Sequence, residues 1–170
     1  MQTASANKKM NYYDTISKGY EELHKEEQLK KLELIKKYLK VKQDEKLLDV
    51  GCGTGLTTSC WECRCYGIDP SKNLLAKAKR KHKNIIFKQA PAEKIPFENN
   101  FFDVVISVTA IQNFSDIEKG LEEIKRIGKD KFVLTFLKKS KKKGKIDGLI
   151  KKHFKIKKTI EEEKDLMYFM

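Results

Sequence analysis

The chain has 170 residues and a formal charge of +13, from 37 basic and 24 acidic side chains, with 39% hydrophobic residues. That is one domain's worth of chain, large enough for a real core and too short for much besides. The opening "MQTASANKK" holds no long apolar run, and the longest apolar stretch, residues 101–111, is interrupted by Asp103. Neither a signal peptide nor a membrane span is expected, and the expected location is cytoplasmic.

In chain order, residues 1–9 are polar and read as a disordered tail or leader. Residues 10–40 read as N-terminal helices, first "YYDTISKGYEELH" and then "KEEQLKKLELIKKYL", where Leu29, Leu32, Ile35 and Leu39 recur on one face. The rest, residues 45–170, alternates strands and helices within a single domain spanning residues 10–170. Strands are predicted at "KLLDV", "CYGID", "NIIFKQ", "FDVVISV", "KFVLTF", "FKIKKTI" and "DLMYFM". Between the first two lies "GCGTG", which predicts a tight turn over Gly51, Gly53 and Gly55 followed by a helix, hence one βαβ unit ending at Asp69. Helices are also expected over "SKNLLAKAKRKH" and "SDIEKGLEEIKRI", the latter opened by Ser115 and Glu118 at capping-box spacing. Alternation of this kind argues for an α/β fold with a mostly parallel sheet covered on both faces. Only "EEEKD" separates the last two strands, too short for a parallel crossover, so the seventh strand must run antiparallel.

"LDVGCGTG", "GIDPS", "AEKIPF" and "FDVVISV" occur in that order at compatible spacings. Together with seven strands and a closing antiparallel hairpin they resemble the class I S-adenosylmethionine-dependent methyltransferases, specifically their compact type 11 branch with its Rossmann-like seven-stranded sheet. A nicotinamide-binding G-x-G-x-x-G would need glycine at position 56, which is Leu56. The resemblance implies S-adenosyl-L-methionine as cofactor and methyl transfer by in-line displacement. It implies Gly51 and Gly53 under the methionine end, Asp49 facing the ammonium, and Asp69 accepting the ribose hydroxyls. Ala92 and Glu93 would flank the adenine, Ser107 and Val108 would line the methionine pocket, and Tyr13 and Tyr20 would lie on a helix that covers the cofactor. Glycines permit such close backbone approach, and a helix N-terminus offers free N–H groups. The chain departs from the family in two places: Pro91 stands where an aspartate is usual, and Gln112 and Asn113 where relatives often carry paired histidines. No catalytic base is assigned.

All four cysteines lie between 52 and 65, with Cys60, Cys63 and Cys65 in "CWECRC". Structural zinc usually wants two separated pairs. Here Cys52 belongs to the glycine turn and Cys65 to the second strand, so no metal site is expected and buried thiols are. The charge is concentrated too: residues 138–158 hold 11 lysines and one acid, leaving the remainder near balance. As a loop following strand five, Lys138 to Lys158 would overhang the substrate side and form a footprint for RNA phosphates. His24 reads as a surface helix residue. Some relatives pair through the third strand with a small zinc-binding activator protein, and "NIIF" would suit that role. RNA, as tRNA or rRNA, is the first expected acceptor; the alternatives are a small-molecule methyltransferase acting on a quinone or other metabolite, and a non-catalytic cofactor-binding subunit that needs a partner.

Overall fold

The computed structural model describes residues 22–170. The expected leader and Tyr13 and Tyr20 lie outside the described residues. Helix α1 spans residues 22–38. It is followed by β1 (Lys46–Val50), β2 (Arg64–Asp69), α2 (Lys72–Lys81), β3 (Ile86–Gln89), β4 (Phe102–Ser107), α3 (Ile117–Ile127), β5 (Gly128–Leu137), α4 (Lys143–His153), β6 (Lys158–Glu161) and β7 (Asp165–Phe169).

The seven strands form one Rossmann-like sheet in the order β3-β2-β1-β4-β5-β7-β6. Strands β1 to β5 pair in parallel, and β7 lies antiparallel to both β5 and β6. The order reverses direction at β1 and β4, which puts a crevice above their carboxyl ends, where open α/β sheets bind ligands. One face of the sheet is covered by α3 and α4 through Leu121, Ile124, Ile146 and Ile150. The other face is covered by Leu32 and Ile35 of α1 and by Leu39 just after it, packed on Val104, Ile106, Val133 and Met167. The β4–β5 pairing shifts register between Phe102 and Val104, with the extra residue in β5; Phe102 joins the first core and Val104 the second.

Three expectations are corrected. The helix expected after Gly55 is absent: a single 3-10 turn, Thr58–Cys60, stands in its place. Only "LTTSCWEC" separates Gly55 from β2, and this short run rich in Thr, Ser and Cys is a poor helix nucleus. Trp61 fills the space, buried against the α1 face, with the Lys36 ammonium 5.1 Å from its ring centre.

The lysine-rich segment is not a free loop, because α4 occupies Lys143–His153, anchored by buried Ile146 and Ile150 one helical turn apart. Three of its lysines are tied to carboxylates, Lys138 to Glu161, Lys151 to Asp147 and Lys152 to Glu118.

The cap of α3 is Asp116 rather than Ser115, its carboxylate accepting from the Lys119 N–H at 3.1 Å. With the cap moved by one residue, Glu118 no longer occupies the capping-box position. The Asp116 N–H is instead taken by Glu93 Oε1 at 2.9 Å. Among the described residues, no helix is long and apolar enough to cross a membrane.

Candidate active site

A cavity of about 490 Å³ opens above the carboxyl ends of β1, β2 and β4. Its floor is the turn after β1, where Gly51, Gly53 and Gly55 take φ of 77°, 54° and 79°. A Cβ at Gly51 would come within 2.6 Å of the Ala110 Cβ, so this turn packs directly on the loop that follows β4. A Cβ at Gly53 would meet nothing within 4 Å. There the demand for glycine comes from the left-handed backbone at the edge of ligand space, not from a protein neighbour.

Two carboxylates flank this floor. Asp49, at the end of β1, is buried, and its Oδ2 accepts from the hydroxyls of Thr57 at 2.5 Å and Thr58 at 2.8 Å. Its Oδ1 is buried without a hydrogen-bond partner among the described residues. Burial pushes the Asp49 carboxyl up to about 6; the two threonine hydroxyls oppose the shift and the nearby Asp69 charge adds to it. Asp69, at the end of β2, uses Oδ2 to accept from the Gly53 N–H at 2.9 Å and Oδ1 from the Ser71 N–H at 2.8 Å. Each of these oxygens keeps a further lone pair.

The loop after β3 forms a side wall. Ala90, Pro91, Ala92 and Glu93 line the cavity opposite Leu74, with Asn113, Phe114 and Ser115 nearby. The loop is pinned to α3 by Glu123, which accepts from the Ile95 N–H at 2.8 Å, and by Arg126, which donates to the Ile95 and Phe97 carbonyls at 2.9 Å. Glu93 carries the cap of α3 while facing the cavity.

The last wall comes from Val108, Thr109 and Ala110 after β4 and from His24 and Gln28 on α1. Ser107 sits behind this wall, its buried hydroxyl donating to the Val50 carbonyl at 2.9 Å. Of the pair that replaces the family's histidines, Asn113 lines the cavity, whereas Gln112 turns its amide to the Thr109 carbonyl at 2.8 Å. His24 is exposed but stands at the cavity edge.

The arrangement therefore brings Gly51, Gly53, Asp69, Ala92, Glu93 and Val108 around one cavity, with Asp49 beneath its floor. Sequence reasoning missed Gln28, Thr57, Thr58 and Thr109. Gln28 precedes Leu32 by one helical turn, so the apolar stripe of α1 points to it. Two hydroxyls eight and nine residues past a buried acid are the signal for Thr57 and Thr58. Thr109 carries no such signal.

Of the four thiols, Cys52 lines the cavity within the glycine turn, whereas Cys60, Cys63 and Cys65 do not. Cys52 and Cys65 are buried and Cys60 and Cys63 partly so, with 3.6 Å between the Cys63 and Cys65 sulfurs. Burial pushes the Cys52 thiol up, away from the reactive thiolate.

A doubly wound sheet, a glycine turn after its first strand and acids ending its first two strands define an adenosine-cofactor-binding α/β domain. The chain belongs to the type 11 branch of the class I S-adenosylmethionine-dependent methyltransferases, since the methyltransferase domain model matches residues 48–136, more than half of it. Residues 1–170 include a 33% match over 128 residues to the uncharacterized protein MJ1252 of Methanocaldococcus jannaschii, covering 74% of this chain and 49% of that protein. A demethylmenaquinone methyltransferase of Chlorobaculum tepidum is 36% identical over 96 residues, 54% of this chain and 40% of that one. The chain thus spans half or less of the length of these curated relatives.

A SAM-dependent methyltransferase from Aquifex aeolicus superposes with a TM-score of 0.71 at 20% identity, over 81% of this chain and 87% of that one. A putative methyltransferase complexed with the Trm112 activator from Haloferax volcanii matches with a TM-score of 0.55 at 24% identity, over 58% of this chain and 48% of that one. Both likenesses are of fold.

The cofactor of this family is S-adenosylmethionine, and the residues present fit it. An unpartnered buried carboxylate oxygen on Asp49 suits a cation, a left-handed glycine turn permits close backbone approach, and Asp69 retains acceptor capacity for a diol.

Proposed function

We propose that this chain transfers a methyl group from S-adenosylmethionine to a small-molecule acceptor by in-line displacement. The observation that carries the acceptor class is the lining of the cavity. Its formally charged residues are Asp69 and Glu93, and no lysine or arginine belongs to it among the described residues. A mostly apolar, concave pocket with a few convergent polar groups is the usual setting for a small ligand. The relatives named as quinone-pathway methyltransferases agree with that class.

When bound, S-adenosylmethionine supplies an electrophilic methyl group on a sulfonium. Asp49 would hold the ammonium, directly or through water, and Asp69 the ribose hydroxyls. Gly51 and Gly53 would lie under the methionine portion, Ala92 and Glu93 beside the adenine. Val108 and Thr109, with Gln28 opposite, would fix the acceptor on the methyl side. Positioning of this kind can provide most of the rate without a general base.

RNA is the second reading. It is favoured by Lys142, whose ammonium donates to the Gln112 carbonyl at 2.9 Å, which brings the start of the lysine-rich segment to the neighbourhood of Asn113 and Phe114. A small activator subunit is part of that reading. Strand β3 is a sheet edge and its Ile86 is 50% exposed, a surface suited to strand pairing.

The test is transfer of labelled methyl from S-adenosylmethionine into metabolite, RNA and protein fractions of a cell extract, with Asp69→Ala as control. Label in the metabolite fraction, lost in the variant, is the expected result. Label confined to RNA and reduced by neutralising Lys139, Lys141 and Lys142 would replace the first reading with the second. Absence of label in every fraction, with cofactor bound, would fit a subunit that needs its partner.

A further inference from the structure

The wall formed by Thr109 is held by an ion pair that the methyl-transfer reading does not use. Lys31, on α1, is fully buried; its ammonium donates to Glu27 Oε1 at 2.9 Å and Thr109 Oγ1 at 3.1 Å, and lies 3.0 Å from Asp165 Oδ1 as an ion pair. Asp165, the first residue of β7, is equally buried, and its Oδ2 accepts from the hydroxyls of Thr109 at 2.6 Å and Thr135 at 2.8 Å. The Thr135 oxygen in turn accepts from the Thr109 N–H at 2.8 Å.

The proton directions are therefore fixed. Asp165 can only accept, so both threonine hydroxyls donate to it, and their remaining lone pairs face Lys31 and the Thr109 N–H. Asp165 Oδ1 accepts no hydrogen bond among the described residues and meets Lys31 as an ion pair, while the hydrogen bonds through Oδ2 and the two threonines have one arrangement in a low-dielectric interior.

That arrangement imposes a cost on Thr109, a β-branched residue at φ 55°. Such a conformation persists only where its surroundings over-determine it. Here they do, through both the N–H and the hydroxyl of Thr109. The next residue, Ala110, bears directly on Gly51 in the floor of the cavity. Gln28, one turn before Lys31 on the same face of α1, lines the cavity and carries a buried amide oxygen without a partner among the described residues.

We propose that Lys31, Asp165 and Thr135 are positioning residues: they lock Thr109 in its left-handed conformation and so couple the docking of α1 to the shape of the cofactor cavity. Neither Lys31, Asp165 nor Thr135 lines the cavity. The proposal rests on the reading of that cavity as the S-adenosylmethionine site. The coupling acts through a contiguous physical path from α1 and β7 to Thr109, Ala110 and the glycine turn.

The decisive comparison is between Lys31→Met and the double variant Lys31→Met/Asp165→Leu. Removing one charge strands the other, whereas replacing both with apolar side chains commonly restores stability. If the pair only stabilises the fold, the double variant should regain both melting temperature and ligand affinity. If it positions Thr109, melting temperature recovers but S-adenosylhomocysteine binds about fivefold or more weakly in calorimetry. Amides of residues 107–112 then also exchange faster than in the parent protein.

A double variant with restored stability, unchanged affinity and unchanged exchange overturns the proposal. Should that variant not fold, Thr135→Val keeps the ion pair and removes the oxygen that holds the Thr109 N–H. Faster exchange at residues 109–113 is then expected, and unchanged exchange overturns the proposal. Should the parent protein bind no S-adenosylhomocysteine, the functional reading falls, while the exchange comparison still decides whether the network positions the loop.

Discussion

One wall of the cavity, the glycine turn with Asp49 and Asp69, is assembled within residues 49–71. The opposite wall takes Gln28 from α1 and Thr109 from the loop after β4, braced by Thr135 of β5 and Asp165 of β7. The first uses local backbone geometry, positive φ and N–H groups, which a handful of adjacent residue types specify. The second uses a buried charge pair between segments more than a hundred residues apart. A site whose local wall reads as a family motif can thus owe its other wall to contacts that leave no motif at all.

Breaking the distant wall should have the larger effect. Lys31→Met leaves the Asp165 carboxylate buried without its cation and is expected to cost about 3–5 kcal/mol in denaturant unfolding. A loss below about 1 kcal/mol would mean that water reaches the pair. Breaking the local wall comes next. Gly51→Ala combines a left-handed backbone with a Cβ placed 2.6 Å from Ala110. A destabilisation of roughly 2–4 kcal/mol, from strain and overpacking together, should appear in the same unfolding experiment.

The third prediction concerns pH. The folded Asp49 carboxyl holds its proton up to about 6, against an ordinary value of 3.8, so its contribution to stability falls as pH rises between these values and is level above them. Binding of a cationic ligand group beside Asp49 has the opposite dependence, because it needs the carboxylate. Affinity for S-adenosylhomocysteine should weaken about tenfold between pH 7 and pH 5. Calorimetry across that range checks it, and Asp49→Asn should flatten this part of the profile.

The smallest effect is expected far from either wall. Lys152 meets Glu118 in an exposed ion pair on the outer surface of α3 and α4. Lys152→Ala should leave both melting temperature and ligand affinity unchanged. A clear loss of affinity would bring the α4 surface into the site and sharpen the case for a polyanionic acceptor.

The sheet was largely legible because its signals are periodic or punctuated. Six of the seven predicted strands fall on observed ones, the sixth, "FKIKKTI", meets β6 only at its last three residues, and the five residues of "EEEKD" sufficed for the antiparallel hairpin. The helix after Gly55 misled because the glycine turn normally leads into one, while the eight residues that follow it here are too few and too weakly helical. Helix α4 was obscured by Gly144, Gly148 and its lysines, since only Ile146 and Ile150 are buried. Within the site, Asp49, Gly51, Gly53 and Asp69 were readable from "LDVGCGTG" and "GIDPS". Lys31 read as one more lysine on a charged helix, because nothing adjacent to it announces a partner in β7.

The most direct test of the account is the stoichiometry and affinity of S-adenosylmethionine binding to the parent protein and to Asp69→Ala. Binding to the parent protein is expected to be saturable and one-to-one, and to weaken roughly tenfold or more when the Asp69 carboxylate is removed. Absence of binding by the parent protein, or equal binding by Asp69→Ala, would contradict the placement of the cofactor in this cavity.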